Sequence, residues 1–300
     1  MTPAKAVERV RELVTVGHRD PPRGEGWLLS LGMRLYLDDG GSQRNPKKPI
    51  FVLAGWITSR DYWAQLAWNW EMIRRVRKAP IYHATDAEFP PHREFKKWVA
   101  DCQTDNDAKR RLIGLKQDFA KIIDENRLAG VGRGVHIPDY NERVLHADWI
   151  ARKTPRERFL PVCQCLSLCL EWIGADWPHR PKGEDISVVL QEGTYGLGEA
   201  VDYFWWLKRQ EKPFWMKPFV MISIGPKELP PLQAADMLAF EAYKANERFF
   251  LHDPPLPERQ LLKLLCKRRR VSFKYGDRRT FDAMAERYRP WIEAEKRGRQ

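Results

Sequence analysis

The segment Arg34-Leu-Tyr-Leu-Asp-Asp-Gly-Gly41 constrains the fold more than any other part of this 300-residue chain. Met33 to Leu37 has strand character and runs directly into two adjacent carboxylates, Asp38 and Asp39. A glycine pair and the polar stretch Ser42 to Pro49 follow, and then a second apolar run, Ile50-Phe-Val-Leu-Ala-Gly-Trp-Ile57. Two β-rich runs separated by turn residues predict a hairpin. The first strand therefore ends in acid within the sheet. Alternation puts Tyr36 and Asp38 on one face, and Leu37 and Asp39 on the other. A carboxylate in that position costs free energy unless a cation or a hydrogen-bond network meets it. Asp38 thus demands a partner from elsewhere in the chain.

The remaining pattern alternates helix and strand. Residues 4–14 read as a short amphipathic helix on Val7, Val10, Leu13 and Val14, and His18 to Gly26 as a linker. A helix is predicted over 59–78, where Trp63, Leu66, Trp70 and Ile73 repeat at core spacing. Arg74, Arg75, Arg77 and Lys78 at its end either complement the helix dipole or contact nucleic acid. Ile81 to Pro91 is irregular and holds His83, Asp86 and Glu88 within a few positions. Helix (107–126), strand (128–137), helices (139–151 and 155–174), strand (185–194), helix (around 203–207) and strand (219–224) come next. A long helix opens at Pro230, where proline is tolerated. A hairpin followed by alternating elements predicts an α/β fold: a mixed sheet, antiparallel hairpin plus parallel strands, flanked by helices.

Composition narrows the setting. The chain has no apolar run of the ~18 residues that a membrane span needs, and its charged N-terminus lacks a secretory core, which predicts a cytoplasmic protein. Five cysteines without an export signal predict free thiols. Cys163, Cys165 and Cys169 lie in a helical run without zinc spacing and read as buried structural thiols. From Glu258 to Gln300, 14 Lys and Arg face 6 Asp and Glu, so this end carries most of the net charge of +12. A basic end suits a phosphate backbone, an anionic surface or an acidic partner.

Two further acids stand where apolar residues are expected. Asp236 lies inside the stripe of Leu232, Ala235, Ala239 and Tyr243. Glu192 follows Val188 and Leu190 in alternation at a strand end. Glu241 lies about 140° round the helix from Asp236 and is a poorer candidate for the same site. If the two acid-ended strands are neighbours, Asp38, Glu192 and Asp236 converge. Carboxylates brought together repel and raise each other's pKa unless a cation intervenes. Oxygen-rich clusters bind Mg²⁺ or Mn²⁺, and paired ions of this kind serve in-line attack on a phosphodiester. An ordinary salt bridge would explain any one of the three acids alone.

The acid pair with its glycines, the His83-Ala-Thr-Asp86 segment, the strand ending Gln191-Glu-Gly193 and Pro231-Leu-Gln-Ala-Ala-Asp-Met-Leu-Ala-Phe-Glu241 together resemble the domain-of-unknown-function family 3800. The resemblance runs from about residue 33 to 248 and implies a ribonuclease H-like fold. It implies that Asp38, Glu192 and Asp236 are metal ligands and that His83 is a pocket residue. Where the family has Asp-Glu-Ser-Gly, this chain has Asp38-Asp39-Gly40-Gly41. The implied organisation is an N-terminal helix and linker (1–30), a ribonuclease H-like α/β domain (31–250) and a basic, mostly helical C-terminal extension (251–300). The expected activity is divalent-metal-dependent hydrolysis of nucleic acid. Asp38, Glu192, Asp236 and His83 would be catalytic, and Asp39, Asp86, Gln233 and Glu241 would support them. Lys267, Arg268, Arg269, Arg270, Lys274, Arg278 and Arg279 would grip the backbone. The alternative is a non-catalytic module of the same fold that binds nucleic acid or protein, and a third reading is a structural subunit whose Trp-rich faces (Trp68, Trp205, Trp206) form an interface with another chain.

Overall fold

The computed structural model describes residues 32–41, 49–126, 128–145, 160–177, 183–209, 214–250, 259–267, 271–276, 278–282 and 286. The expected N-terminal helix and linker fall outside these residues. The predicted hairpin pairs β1 (Met33–Gly41) with β2 (Ile50–Ser59) in antiparallel register, Tyr36 opposite Trp56 and Asp38 opposite Ala54. β1 continues through both glycines, beyond the acids. β3 (Ala129–His136), β4 (Ile186–Gln191), β5 (Phe219–Gly225) and β6 (Val271–Gly276) complete a six-stranded sheet in the order β5-β4-β1-β2-β3-β6. β2 is antiparallel to β1 and β3, whereas the β1–β4, β4–β5 and β3–β6 pairs are parallel. Every strand but β2 therefore points one way, and their C-terminal ends share the edge at which Asp38 lies.

Helices cover both faces. One face, with Tyr36, Val52, Ala54, Trp56 and Val189, lies in a core with α1 (Arg60–Val76), α2 (Arg93–Trp98), α3 (Asp105–Glu125), α6 (Pro230–Phe250) and α7 (Gln260–Leu265). The other, with Leu35, Leu37, Val131, Val188 and Leu190, lies under α4 (Pro161–Glu171) and α5 (Leu197–Arg209). The Trp repeat of α1 is core. Trp63, Leu66 and Trp70 are fully buried, and Trp70 stacks on Phe119 of α3 with ring centroids 3.8 Å apart. Arg74 and Arg77 of the same helix are taken up by Glu71 and Asp118. Cys163, Cys165 and Cys169 are buried thiols outside any disulfide. Burial pushes the Cys163 and Cys169 thiols up to about 12, the condition of inert core cysteines.

From Pro230 to Tyr243, helix α6 is buried all round. Leu232, Ala235, Ala239 and Tyr243 are inside as expected, but so are Ala234, Met237, Leu238 and Ala242. A helix apolar on every side belongs in an interior, and α6 packs between the hairpin and α1. Its alanines let it come close: the Trp56 indole N–H donates to Ala234 O at 2.9 Å. A Cβ on Gly40 would stand 2.6 Å from Ala239 O. Only glycine fits where β1 passes beneath this helix, and the contact fixes Asp38 and Asp236 against each other.

The stretch beyond residue 250 is joined to the domain where it is described. α7 packs into the α6 side, and β6 extends the sheet beside β3. Lys267, Lys274, Arg278 and Arg279 are exposed, with Arg278 3.4 Å from Glu142. Arg268, Arg269 and Arg270 lie outside the described residues. No described helix is long and apolar enough to cross a membrane.

Candidate active site

At the C-terminal edge of the sheet lies a cavity of about 480 Å³, lined among others by Asp38, Asp39, His83, Glu192 and Asp236. Asp38 comes from β1 and Asp236 from α6, and they are 2% and 7% exposed. Each accepts one backbone N–H: Asp39 N–H to Asp38 Oδ1 and Ala84 N–H to Asp236 Oδ2, both at 2.7 Å. Among the described residues neither carboxylate enters an ion pair.

Burial first, then the charge of Asp236 and that of Asp39, raise the Asp38 carboxyl well above the usual range. Burial pushes Asp236 up to about 6, against the opposing influence of His83 and the Ala84 N–H. Both acids thus hold protons more strongly than an ordinary carboxyl, chiefly through burial, with the charge of Asp236 adding to it at Asp38. Asp39, alternating to the opposite face of β1, is also raised by burial, offset in part by Thr194.

The wall opposite the sheet is the 79–92 loop, and α6 holds it at several points. Gln233 Oε1 accepts from Tyr82 N–H and from the Trp70 indole, both at 3.0 Å, and its Nε2 donates to Glu228 O at 2.7 Å. Gln233 is therefore a buried hub that sets the loop from which Ala84 reaches Asp236. Within the loop, His83 Nδ1 lies 3.5 Å from Asp86 Oδ2, and Asp86 lies 3.6 Å from Arg93. His83 Nδ1 is buried without a hydrogen bond, and the residue lines the cavity.

Glu241, the poorer candidate for the site, does not line the cavity. It is 1% exposed and gripped at both oxygens by Arg259, at 2.8 and 2.9 Å. The same guanidinium holds Glu88 at 2.8 and 3.0 Å, and Lys116 adds a third bond to Glu88 at 2.9 Å. Burial alone would raise Glu88, but Arg259 and Lys116 overcome it and hold the carboxyl at about 2. Glu192, in turn, is not a strand residue. β4 ends at Gln191, and Glu192 stands exposed in the following turn, its N–H donating to Gly225 O. Val188 and Leu190, with which it was expected to alternate, belong to the core on the face away from Asp38. It lines the cavity because the chain leaves the sheet there.

Sequence reasoning also missed Gln191, Arg259 and Lys227. Gln191 lines the cavity in alternation with Val189, whose side chain lies on the face of Tyr36 and Asp38, a signal present in the sequence. Arg259 carried none, because its partners are distant in the chain. The exposed Lys227 comes from the turn after β5.

Among the described residues no three His, Cys, Asp or Glu side chains form a ready metal cage. The donor set is two adjoining buried carboxylates with further acids at the rim. That set suits a hard cation which keeps several waters and takes one or two carboxylates, and lacks the closed four-ligand arrangement of structural zinc. No protein-family model, curated protein or solved structure matches the chain.

Proposed function

We propose that the chain is a divalent-cation-dependent phosphodiesterase acting on nucleic acid, built on a ribonuclease H-like domain. The observation that carries the reading is the Asp38–Asp236 pair: two buried like charges at the floor of an open cavity, apart from the ion network that neutralises Glu88 and Glu241. Asp38 and Asp236 would hold Mg²⁺ or Mn²⁺, with Glu192 and Asp39 at the rim. A bound ion would supply Lewis-acid polarisation and a water of lowered pKa. The Ala84 N–H fixes one oxygen of Asp236 and leaves the other to the ion. His83, which lines the cavity with Nδ1 towards Asp86, would carry a proton at the leaving oxygen.

Topology supports the fold assignment: an antiparallel β1–β2 hairpin is extended by β3 on one side and, beyond β1, by the parallel strands β4 and β5. β6 lies three strands from β1, about 14 Å at ordinary strand spacing. The exposed Lys267, Lys274 and Arg279 near it would touch the phosphate backbone and position it without reading sequence.

Mn²⁺-dependent cleavage of labelled nucleic acid by the wild type, and none by Asp38→Asn or Asp236→Asn, is the expected result. Equal cleavage by variants and wild type, or no heat of Mn²⁺ binding in calorimetry, would remove the catalytic reading. The lack of a three-ligand cage among the described residues favours a second reading, a non-catalytic nucleic-acid- or protein-binding module. It predicts salt-dependent nucleic-acid binding or protein capture without turnover and without any dependence on Asp236.

A further inference from the structure

The cavity has an apolar side that the chemistry above does not use. Phe89 and Pro90 from the loop and Phe240 from α6 line it. Phe89 is 37% exposed, and single exposed aromatics need no special explanation. This one differs in being held. Its neighbour Glu88 has its carboxylate fixed by three bonds to Arg259 and Lys116, and the Glu88 N–H donates to Thr85 O, so the ring stands beside an anchored residue at the cavity.

Depth adds a second constraint. The carboxylates of Asp38 and Asp236 are almost wholly covered, so a phosphate must enter the cavity to approach them. The phosphates of a duplex lie on the outside of a broad rod and meet an exposed ridge more readily than a walled floor. A single strand can lower one unit into the cavity, and unpaired bases stack on aromatic rings whatever their identity.

We propose that the cavity takes one nucleotide unit of a single-stranded nucleic acid, its base against Phe89 and its phosphate towards Asp38 and Asp236, with Lys227 at the rim meeting the adjoining backbone. This inference rests on the nuclease reading and adds its substrate class. Because the floor is acidic, binding of the strand requires a divalent cation.

The test is fluorescence anisotropy with a short labelled oligonucleotide, single-stranded or annealed to its complement, in Ca²⁺ to hold off cleavage. The single strand should bind at least about tenfold more tightly than the duplex, and only with the cation present. Phe89→Ala should weaken single-strand binding about tenfold while its melting temperature and calorimetric Mn²⁺ binding stay at wild-type values. Equal affinity for the two forms, binding to neither, or no effect of Phe89→Ala overturns the substrate assignment and leaves the metal reading standing. Failure of the metal reading shows separately, as unaltered Mn²⁺ binding in Asp38→Asn.

Discussion

Glu241 and Asp236 stand on the same helix and are similarly buried, at 1% and 7% exposure. Yet they meet opposite fates. Glu241 receives a two-pronged guanidinium from Arg259, which also grips Glu88. Asp236 receives one backbone N–H, a nearby histidine and a second acid. A buried carboxylate is tolerated when its charge is met and is costly when it is not. The first cluster is complete in the protein itself and fastens the loop to α6. The second is incomplete and faces the cavity, which Glu88 of the first also lines.

The contrast is tested most severely at Arg259. Replacing it by leucine leaves Glu241 buried without its cation and Glu88 with Lys116 alone. Breaking a buried pair from one side costs about 3–5 kcal/mol, to be measured by urea unfolding. A loss below about 1 kcal/mol would mean that the network does not hold the domain together. Gln233→Leu comes next. It deprives the Trp70 indole and the Tyr82 N–H of their acceptor. A buried donor left unmet costs roughly 1–3 kcal/mol, so a loss of about 2 kcal/mol is expected. Mn²⁺ affinity should fall roughly 10–100-fold, the usual result when support behind a metal ligand is lost. Weakened folding with full Mn²⁺ affinity would separate the loop from the site.

At the acid pair the sign reverses. Asp38→Asn removes a buried repulsion, so the metal-free protein should melt higher than wild type at pH 7.5 while Mn²⁺ binding disappears. The pH dependence follows from the same shifts. Asp236, raised to about 6 in the folded protein, binds more protons there than in the unfolded chain, and Asp38 shares that direction. Their contribution to stability is full below the unfolded carboxylate pKa of about 4 and is lost as pH rises through 6 and beyond. Mn²⁺ competes with those protons, so its affinity should climb over the same interval. Glu88, held at about 2, behaves oppositely: its contribution is present above its ordinary pKa and lost as pH falls towards 2. Melting curves from pH 3 to 8 should therefore show two limbs of opposite slope. Asp236→Asn should flatten the upper limb and Glu88→Gln the lower one. A single limb responding to both variants would dissolve the distinction between the clusters.

Much of this arrangement was legible from local pattern. The hairpin followed from two β-rich runs around turn residues, and the interior acids Asp38 and Asp236 stood out against the alternation and the helical stripe. The Trp repeat of α1 and the cysteine helix read correctly as core. What escaped depends on long-range geometry. Glu88 and Arg259 lie 171 residues apart, and no periodicity links them. The stripe of α6 singled out Asp236 over Glu241 for the cavity, but nothing in it pointed to Arg259 as the partner of Glu241. The end of β4 falls one residue short of Glu192, and in a strand a shift of one residue changes the face.

Glu192 accordingly gives the smallest effect and the finest discrimination. Glu192→Gln alters an exposed turn residue with no buried partner, so stability should stay within about 0.5 kcal/mol of wild type. If the acids of the cavity act as one metal site, this carboxylate still adds a charge at the mouth, and Mn²⁺ affinity should fall by a smaller factor than in Asp38→Asn or Asp236→Asn. Calorimetry on the three variants ranks them directly. A loss at Glu192 as large as at Asp38 would mean that the turn after β4 closes onto the ion and that three acids form the centre. No change at all would confine the centre to β1 and α6, where Gly40 and Ala239 bring strand and helix together.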